Sequence, residues 1–113
     1  MIVCKLGGAA LADAAGFRQA EAIARANTDR RVLVVSAPGR RGPADEKITD
    51  LLYACQSEAK AGRGFGHLFD RVAARFREIA DALGLPAPDA ALRQVYQGLR
   101  DGGTPDWAAS RGE

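Results

Sequence analysis

The chain has 113 residues, of which 47% are hydrophobic and 27% are charged. This length suits one domain with its own core, and the composition is that of a globular protein, not of a disordered or fibrous chain. Sixteen Lys and Arg residues are interleaved with fourteen Asp and Glu residues, so the formal net charge is only +2. A nucleic-acid-binding surface needs clustered basic residues, and we therefore expect no nucleic-acid partner.

Two cysteines and one histidine offer little material for a metal site or a disulfide framework. Cys4 lies in an apolar strand-like run and Cys55 on an apolar helical face, so both are expected to be buried small hydrophobic residues. His67 stands near a helix start and is expected to face solvent. The N-terminus lacks the features of a secretory signal, and no apolar run approaches the roughly 20 residues that cross a bilayer. We expect a cytoplasmic protein with no membrane contact and no metal.

The first elements in chain order are predicted to be a strand, a helix and a second strand. A β-type run covers residues 2–5, and apolar residues recur at helical spacing over residues 11–26. Residues 31–37 are predicted to form the second strand, and the unbroken apolar stretch within them, Val-Leu-Val-Val, indicates burial on both faces, as in a parallel sheet. The strand–helix–strand order with short connections is typical of a βαβ unit and predicts an α/β layered fold.

The remainder of the chain is predicted to be mainly helical. Residues 38–45 form a loop rich in Gly, Pro and charge, in which Arg40-Arg41 is expected to be solvated. Apolar stripes at helical spacing follow, and they are expected to be core and to carry no chemistry. The first of these predicted helices begins near Ile48 and ends near Gly62. The second ends at Gly84 and the third at Gly102-Gly103, and a short helix-compatible segment runs from Asp106 onwards.

Chemistry is expected first at the end of the first strand, because α/β folds place ligands at the carboxyl ends of strands. Lys5 is followed there by Gly7-Gly8 and a helix. Glycines allow backbone N–H groups to approach an anion, the helix N-terminus adds partial positive charge, and a lysine can neutralise a phosphoryl group. Taken alone, a Gly-Gly pair after a strand is more typical of an ordinary tight turn.

Two further segments are candidates for ligand binding. Ser36 leaves the second strand and can donate a hydrogen bond to a carboxylate or phosphate, although a hydroxyl at a strand end can also cap a turn. The carboxylate of Glu113, in Ser110-Arg111-Gly112-Glu113, could hold an amino group. The alternative for this segment is a frayed, solvated C-terminus.

Together these segments resemble the aspartate kinases of the amino-acid kinase superfamily. Lys5-Leu6-Gly7-Gly8-Ala9-Ala10 is similar to the family's opening Lys-Phe-Gly-Gly-Thr-Ser, and residues 34–39 follow family practice closely. Residues 47–52 resemble the family's Lys-Val-Thr-Asp-Leu-Leu segment, and residues 110–113 resemble its aspartate-binding Ser-X-Gly-Glu element. The resemblance covers the whole chain in the right order.

The resemblance implies transfer of the γ-phosphoryl group of ATP to the side-chain carboxylate of L-aspartate, the entry step to lysine, threonine and methionine. It implies that Lys5 is catalytic and binds phosphate together with Gly7-Gly8. Ser36 and Thr49 would bind L-aspartate, and Glu113 would pair with its α-amino group. ATP and Mg²⁺ are expected for the full-length family, but no site for the nucleotide base or for the metal is recognisable in this chain.

The chain departs from the family pattern in two ways. Ala9-Ala10 replaces a Thr-Ser pair, and the loss of one preorganised donor of this kind can cost about 3 kcal/mol of transition-state stabilisation. The family's nucleotide-binding part and ACT domains are not recognisable, so residues 1–113 are expected to be the aspartate-binding N-terminal portion of a three-layer amino-acid kinase domain. Such a portion is expected to be inactive alone and, with an uncovered sheet edge, to self-associate as a homo-oligomer. The alternative is a standalone non-catalytic protein, derived from a kinase, that binds aspartate or a partner.

Overall fold

The computed structural model describes residues 1–113 as two strands and five helices. The elements are β1 (Ile2–Leu6), α1 (Ala14–Ala26), β2 (Arg30–Val35), α2 (Ile48–Lys60), α3 (Gly66–Ala82), α4 (Asp89–Arg100) and α5 (Pro105–Ser110). The predicted order, a βαβ start followed by helices, is confirmed. Gly62, Gly84 and Gly102 lie just beyond the ends of α2, α3 and α4 with φ angles of 73°, 70° and 91°. These left-handed conformations favour glycine and explain why the helices end there.

The two strands form a parallel pair. Cys4 lies opposite Leu33, and Leu6 lies opposite Val35. Helix α1 covers the face of the sheet that carries Leu6, where Phe17 and Ala20 pack around it in a small apolar cluster. The predicted parallel α/β arrangement is therefore confirmed.

The prediction that β2 is buried on both faces is wrong in this structure. Its four consecutive apolar residues, Val32, Leu33, Val34 and Val35, remain 39–46% exposed. The sheet has only two strands, and the cluster under α1 is built on β1 residues. Side chains on β2 therefore lack a covering layer on one face and are only partly covered on the other.

Helix α1 begins three residues later than predicted. Leu11 and Ala12 are buried as the apolar pattern indicates, but they lie in turns, where the Leu11 N–H donates to the carbonyl oxygens of Gly7 and Gly8, both at 3.2 Å. The carboxylate of Asp13 caps the helix by accepting a hydrogen bond from the Gly16 N–H at 2.9 Å. Capping by an aspartate sets the helix start more sharply than the apolar periodicity does.

The main core lies among the helices, with α2 at its centre. The largest fully buried side chains are Ile48, Leu52, Leu99, Val72 and Cys55. This confirms the interpretation of the helical stripes as core and of Cys55 as a buried residue, whereas Cys4 is only half-buried and His67 is exposed. The radius of gyration is 15.0 Å, against about 13 Å for a compact domain of this length, and the molecule is elongated, with extents of 48 × 29 × 27 Å.

Candidate functional site

The two loops that follow the strands touch each other at the carboxyl edge of the sheet. The Gly39 N–H donates to the Gly8 carbonyl oxygen at 2.8 Å. A Cβ atom on Gly39 would lie 2.7 Å from the Gly8 carbonyl carbon, and one on Gly8 would lie 3.0 Å from the Ala37 carbonyl oxygen. Neither glycine has a positive φ angle, so both are required by this close approach and not by a left-handed turn.

The C-terminal tip of the chain packs against the same region. Gly112 is buried, and a Cβ atom there would lie 2.8 Å from the Ala37 Cβ and 3.2 Å from the Ile48 Cγ2. The Ile48 N–H in turn donates to the Pro38 carbonyl oxygen at 3.1 Å. Packing of Gly112 therefore holds the exposed Glu113 beside the second strand-end loop and the start of α2.

Ser36 and Glu113 line one cavity of about 320 Å³ at this place. They are the only two polar side chains in its wall. The other lining residues come from the strand ends, α1, the C-terminal half of α3 and the segment after it: Leu11, Phe17, Val35, Pro38, Phe76, Ile79, Ala80, Leu83, Leu85, Pro86, Pro88 and Gly112. Ser36 is half-buried, and its hydroxyl forms none of the side-chain hydrogen bonds in the structure, so it is available to a ligand and does not cap a turn.

Lys5 and Thr49 do not line this cavity. Side chains alternate along a strand, so Lys5 lies on the sheet face opposite Leu6; it is exposed, and none of the seven ion pairs involves it. Thr49 is half-buried in the first turn of α2, next to Ile48. The N-cap residue of α2, Lys47, accepts no hydrogen bond through its side chain, so the helix start keeps amide groups that no side chain caps.

Arg75 of α3, which was not among the residues predicted from the sequence to be functional, is 95% buried. Its Nη1 donates to the carbonyl oxygens of Gly39 at 2.7 Å and Ala12 at 3.3 Å. Its Nη2 donates to the Asp45 carboxylate at 2.8 Å and to the Glu46 carbonyl oxygen at 2.9 Å. A signal existed in the sequence, because Arg75 occupies the apolar stripe of α3 between Val72 and Phe76. A charged residue on a core face needs partners, and that requirement marks it out.

Arg41 is more than the solvated loop residue expected from the sequence. Its Nε and Nη2 bind both oxygens of the Asp45 carboxylate, at 2.7 and 3.1 Å, and its Nη1 binds Glu78 of α3 at 3.0 Å. The Arg41 guanidinium, assisted by the Arg41 N–H and by Arg75, holds the pKa of the Asp45 carboxyl well below its usual range. The carboxylate therefore stays ionised and ties the 39–46 loop to α3. Arg40 is exposed, as expected.

No group of three or more His, Cys, Asp or Glu side chains is arranged to hold a metal ion. None of the helices has the length and apolarity that a bilayer crossing demands. At the end of β1, nothing lies within 4 Å of a Cβ added to Gly7, and Lys5 has no carboxylate partner.

Comparison with known proteins relates these features to one family. No protein-family model matches the chain. Aspartokinase 3 of Bacillus subtilis is 38% identical to it over 85 residues, which cover 75% of this chain and 19% of that protein. The crystal structure of an aspartate kinase from Clostridium acetobutylicum, described as an allosteric enzyme, superposes with a TM-score of 0.95 at 36% identity over 99% of this chain and 26% of that one. The chain thus spans about a fifth to a quarter of the length of these relatives, and its sequence and fold identify it as a homologue of the aspartate kinases.

Proposed function

We propose that residues 1–113 form the L-aspartate-binding part of an amino-acid kinase domain that phosphorylates the side-chain carboxylate of L-aspartate. The observation that carries the proposal is that Ser36 and Glu113, far apart in the chain, are the two polar side chains of one cavity at the carboxyl edge of the sheet. Ligands of α/β folds bind at this edge. The homology to aspartate kinases supports the choice of ligand.

The charges of L-aspartate match the groups around the cavity. The Glu113 carboxylate faces the α-ammonium group, and the Ser36 hydroxyl donates to a carboxylate. Thr49 offers a hydroxyl at the start of α2, where the uncapped amides and the helix dipole favour a carboxylate. We propose that these three groups bind and orient the substrate. The packing of Gly112 on Ile48 supports this, since Glu113 follows Gly112 and Thr49 follows Ile48.

Lys5 and Gly7-Gly8 are proposed as the phosphate-binding groups at the end of β1. Phosphoryl transfer depends on alignment and charge neutralisation more than on a covalent catalyst, so an unpaired lysine beside accessible backbone amides is a suitable device. When bound, ATP supplies the phosphoryl group and Mg²⁺ neutralises its charge. Lys5 would reach the phosphate from the sheet face opposite the cavity, so substrate and phosphate approach the strand ends from different sides.

Calorimetric titration with L-aspartate tests the proposal. We expect Glu113→Gln to weaken binding at least tenfold, because a hydrogen bond between charged groups contributes about 1.5–3 kcal/mol. Asp70→Asn is the matched control, since Asp70 is an exposed carboxylate of α3 outside the cavity, and it should bind L-aspartate normally. No binding by the unaltered chain would refute the proposed function.

Succinate separates the role of Glu113 from a general electrostatic effect. Succinate keeps both carboxylates of aspartate but lacks the ammonium group. The unaltered chain should therefore bind succinate about as weakly as the Glu113→Gln variant binds L-aspartate. The substitution should not weaken succinate binding further. If Glu113→Gln lowers the affinity for L-aspartate and for succinate by the same factor, Glu113 does not pair with the ammonium group.

A second candidate is a non-catalytic protein that binds aspartate or a partner. Ala9 and Ala10 favour it, because both are exposed methyl side chains at positions where the family carries hydroxyl groups. Trapping of aspartyl phosphate with hydroxylamine distinguishes the two functions. The assay is run on this chain and on a longer kinase that carries both alanines. If both proteins bind L-aspartate but neither forms hydroxamate in the presence of ATP, the non-catalytic function is favoured.

A further inference from the structure

We propose that Arg75 is a positioning residue of the candidate L-aspartate site, which acts by fastening both strand-end loops to α3. This inference rests on the proposed function for its ligand but on separate contacts for its mechanism. Arg75 does not line the cavity that contains Ser36 and Glu113. Its influence on the site must therefore pass through the loops that it holds.

The contacts of Arg75 join three segments. Nη1 donates to the Ala12 carbonyl oxygen, in the turn that follows Gly7-Gly8, and to the Gly39 carbonyl oxygen, in the loop that follows β2. Nη2 reaches the other end of the second loop, at the Asp45 carboxylate and the Glu46 carbonyl oxygen. One guanidinium thus sets where the two loops lie relative to each other and to α3.

The geometry requires an arginine. Two nitrogens of one planar guanidinium donate all four hydrogen bonds. The Ala12 acceptor lies in the first strand-end loop, and the other three acceptors lie in the second. A lysine carries a single nitrogen with three donors and cannot span the same acceptors. The residue is also 95% buried, so water cannot replace a lost partner cheaply.

The loops held by Arg75 contain the contacts that build the site. Gly39, whose carbonyl oxygen accepts from Arg75, donates its N–H to Gly8 in the candidate phosphate loop. Pro38, one residue earlier, accepts from the first amide of α2, next to Thr49. A shift of this loop would therefore move Ser36, Gly8 and Thr49 relative to one another, although Arg75 forms a hydrogen bond with none of them.

A neighbouring ion pair provides a matched control. Arg71 lies one turn earlier on α3 and binds the Glu46 side chain at 2.9 Å, but both side chains are about half exposed. Exposed pairs contribute little. Arg71→Lys changes the same chemical group on the same helix, beside the same loop, without touching the buried contacts.

The test measures L-aspartate affinity by calorimetry under conditions in which each variant is at least about 95% folded by denaturant titration. We expect Arg75→Lys to weaken L-aspartate binding about tenfold or more and Arg71→Lys to leave it unchanged. Asp45→Asn, which keeps the shape of the acceptor and removes its charge, should shift affinity in the same direction by a smaller factor, and it replaces Arg75→Lys if that variant does not fold. Unchanged affinity in a folded Arg75→Lys or Asp45→Asn variant would overturn the proposal.

Amide hydrogen exchange gives a second readout that does not depend on the ligand. In Arg75→Lys, exchange of the Gly39 N–H should accelerate at least about tenfold more than exchange of the Cys55 N–H in the middle of α2, because local opening of the loop precedes global unfolding. Equal acceleration at both amides would show a general loss of stability and would overturn the positioning role. If the unaltered chain binds no L-aspartate, the proposed function fails, and the exchange rates alone decide whether Arg75 positions the loops.

Discussion

Gly39→Ala tests whether close contact between the two strand-end loops builds the site. The added Cβ would lie 2.7 Å from the Gly8 carbonyl carbon, 2.9 Å from its oxygen and 3.1 Å from the Ala9 nitrogen. All three are backbone atoms, so no flexible side chain can move aside. The substitution must separate the loops and lengthen the 2.8 Å hydrogen bond from the Gly39 N–H to Gly8.

The expected cost follows from these two effects. Overpacking costs about 1–3 kcal/mol, and a net hydrogen bond contributes about 0.5–1.5 kcal/mol, so the free energy of unfolding should fall by about 2–4 kcal/mol. With a urea m-value of about 2 kcal/mol per molar, the unfolding midpoint should fall by about 1–2 M. The single tryptophan, Trp107, reports the transition by fluorescence.

Gly42→Ala is the matched control for this prediction. Gly42 lies in the same loop, nothing lies within 4 Å of its added Cβ, and its φ angle is not positive. Alanine there restricts the unfolded chain and should stabilise the protein by about 0.4–1 kcal/mol. If Gly39→Ala is as stable as Gly42→Ala and binds L-aspartate as tightly, the loops do not depend on this contact.

Two further predictions concern ionisable groups. The pKa of the Asp45 carboxyl is held below its ordinary value of 3.8, chiefly by its hydrogen bonds with Arg41, so its ion pairs stabilise the fold above about pH 4 and lose that contribution as the pH falls further. Urea titrations measure how far the free energy of unfolding falls between pH 6 and pH 3. This fall should be smaller in Asp45→Asn than in the unaltered chain, and an equal fall in both would show that the Asp45 ion pairs do not cause it. Burial raises the pKa of the Cys55 thiol to about 11. In a Cys4→Ser variant at pH 8, Cys55 should therefore react with a disulfide reagent far more slowly in the folded protein than in the protein unfolded by urea. Equal rates in the two conditions would show that Cys55 is accessible in the fold.

The sequence predicted most of the fold because its local signals agree with one another. Apolar residues at helical spacing located α2, α3 and α4, and glycines that adopt positive φ angles marked their ends. The unbroken apolar run of β2 predicted a parallel strand, which the pairing with β1 confirms. The helices and their ends depend on residues close together in the chain, so the sequence alone determined them.

Tertiary structure alone decided how the candidate site is assembled. The strand-end motifs were visible in the sequence, but only the fold shows that Gly112 packs on Ala37 and Ile48 and so brings Glu113 to the cavity of Ser36. The burial of β2 was predicted wrongly, because burial depends on which layers cover a strand and not on the strand itself. Arg75 was missed for the same physical reason. A buried charge is stable only where distant segments supply its partners, and the positions of Ala12, Gly39 and Asp45 around α3 are set by long-range packing.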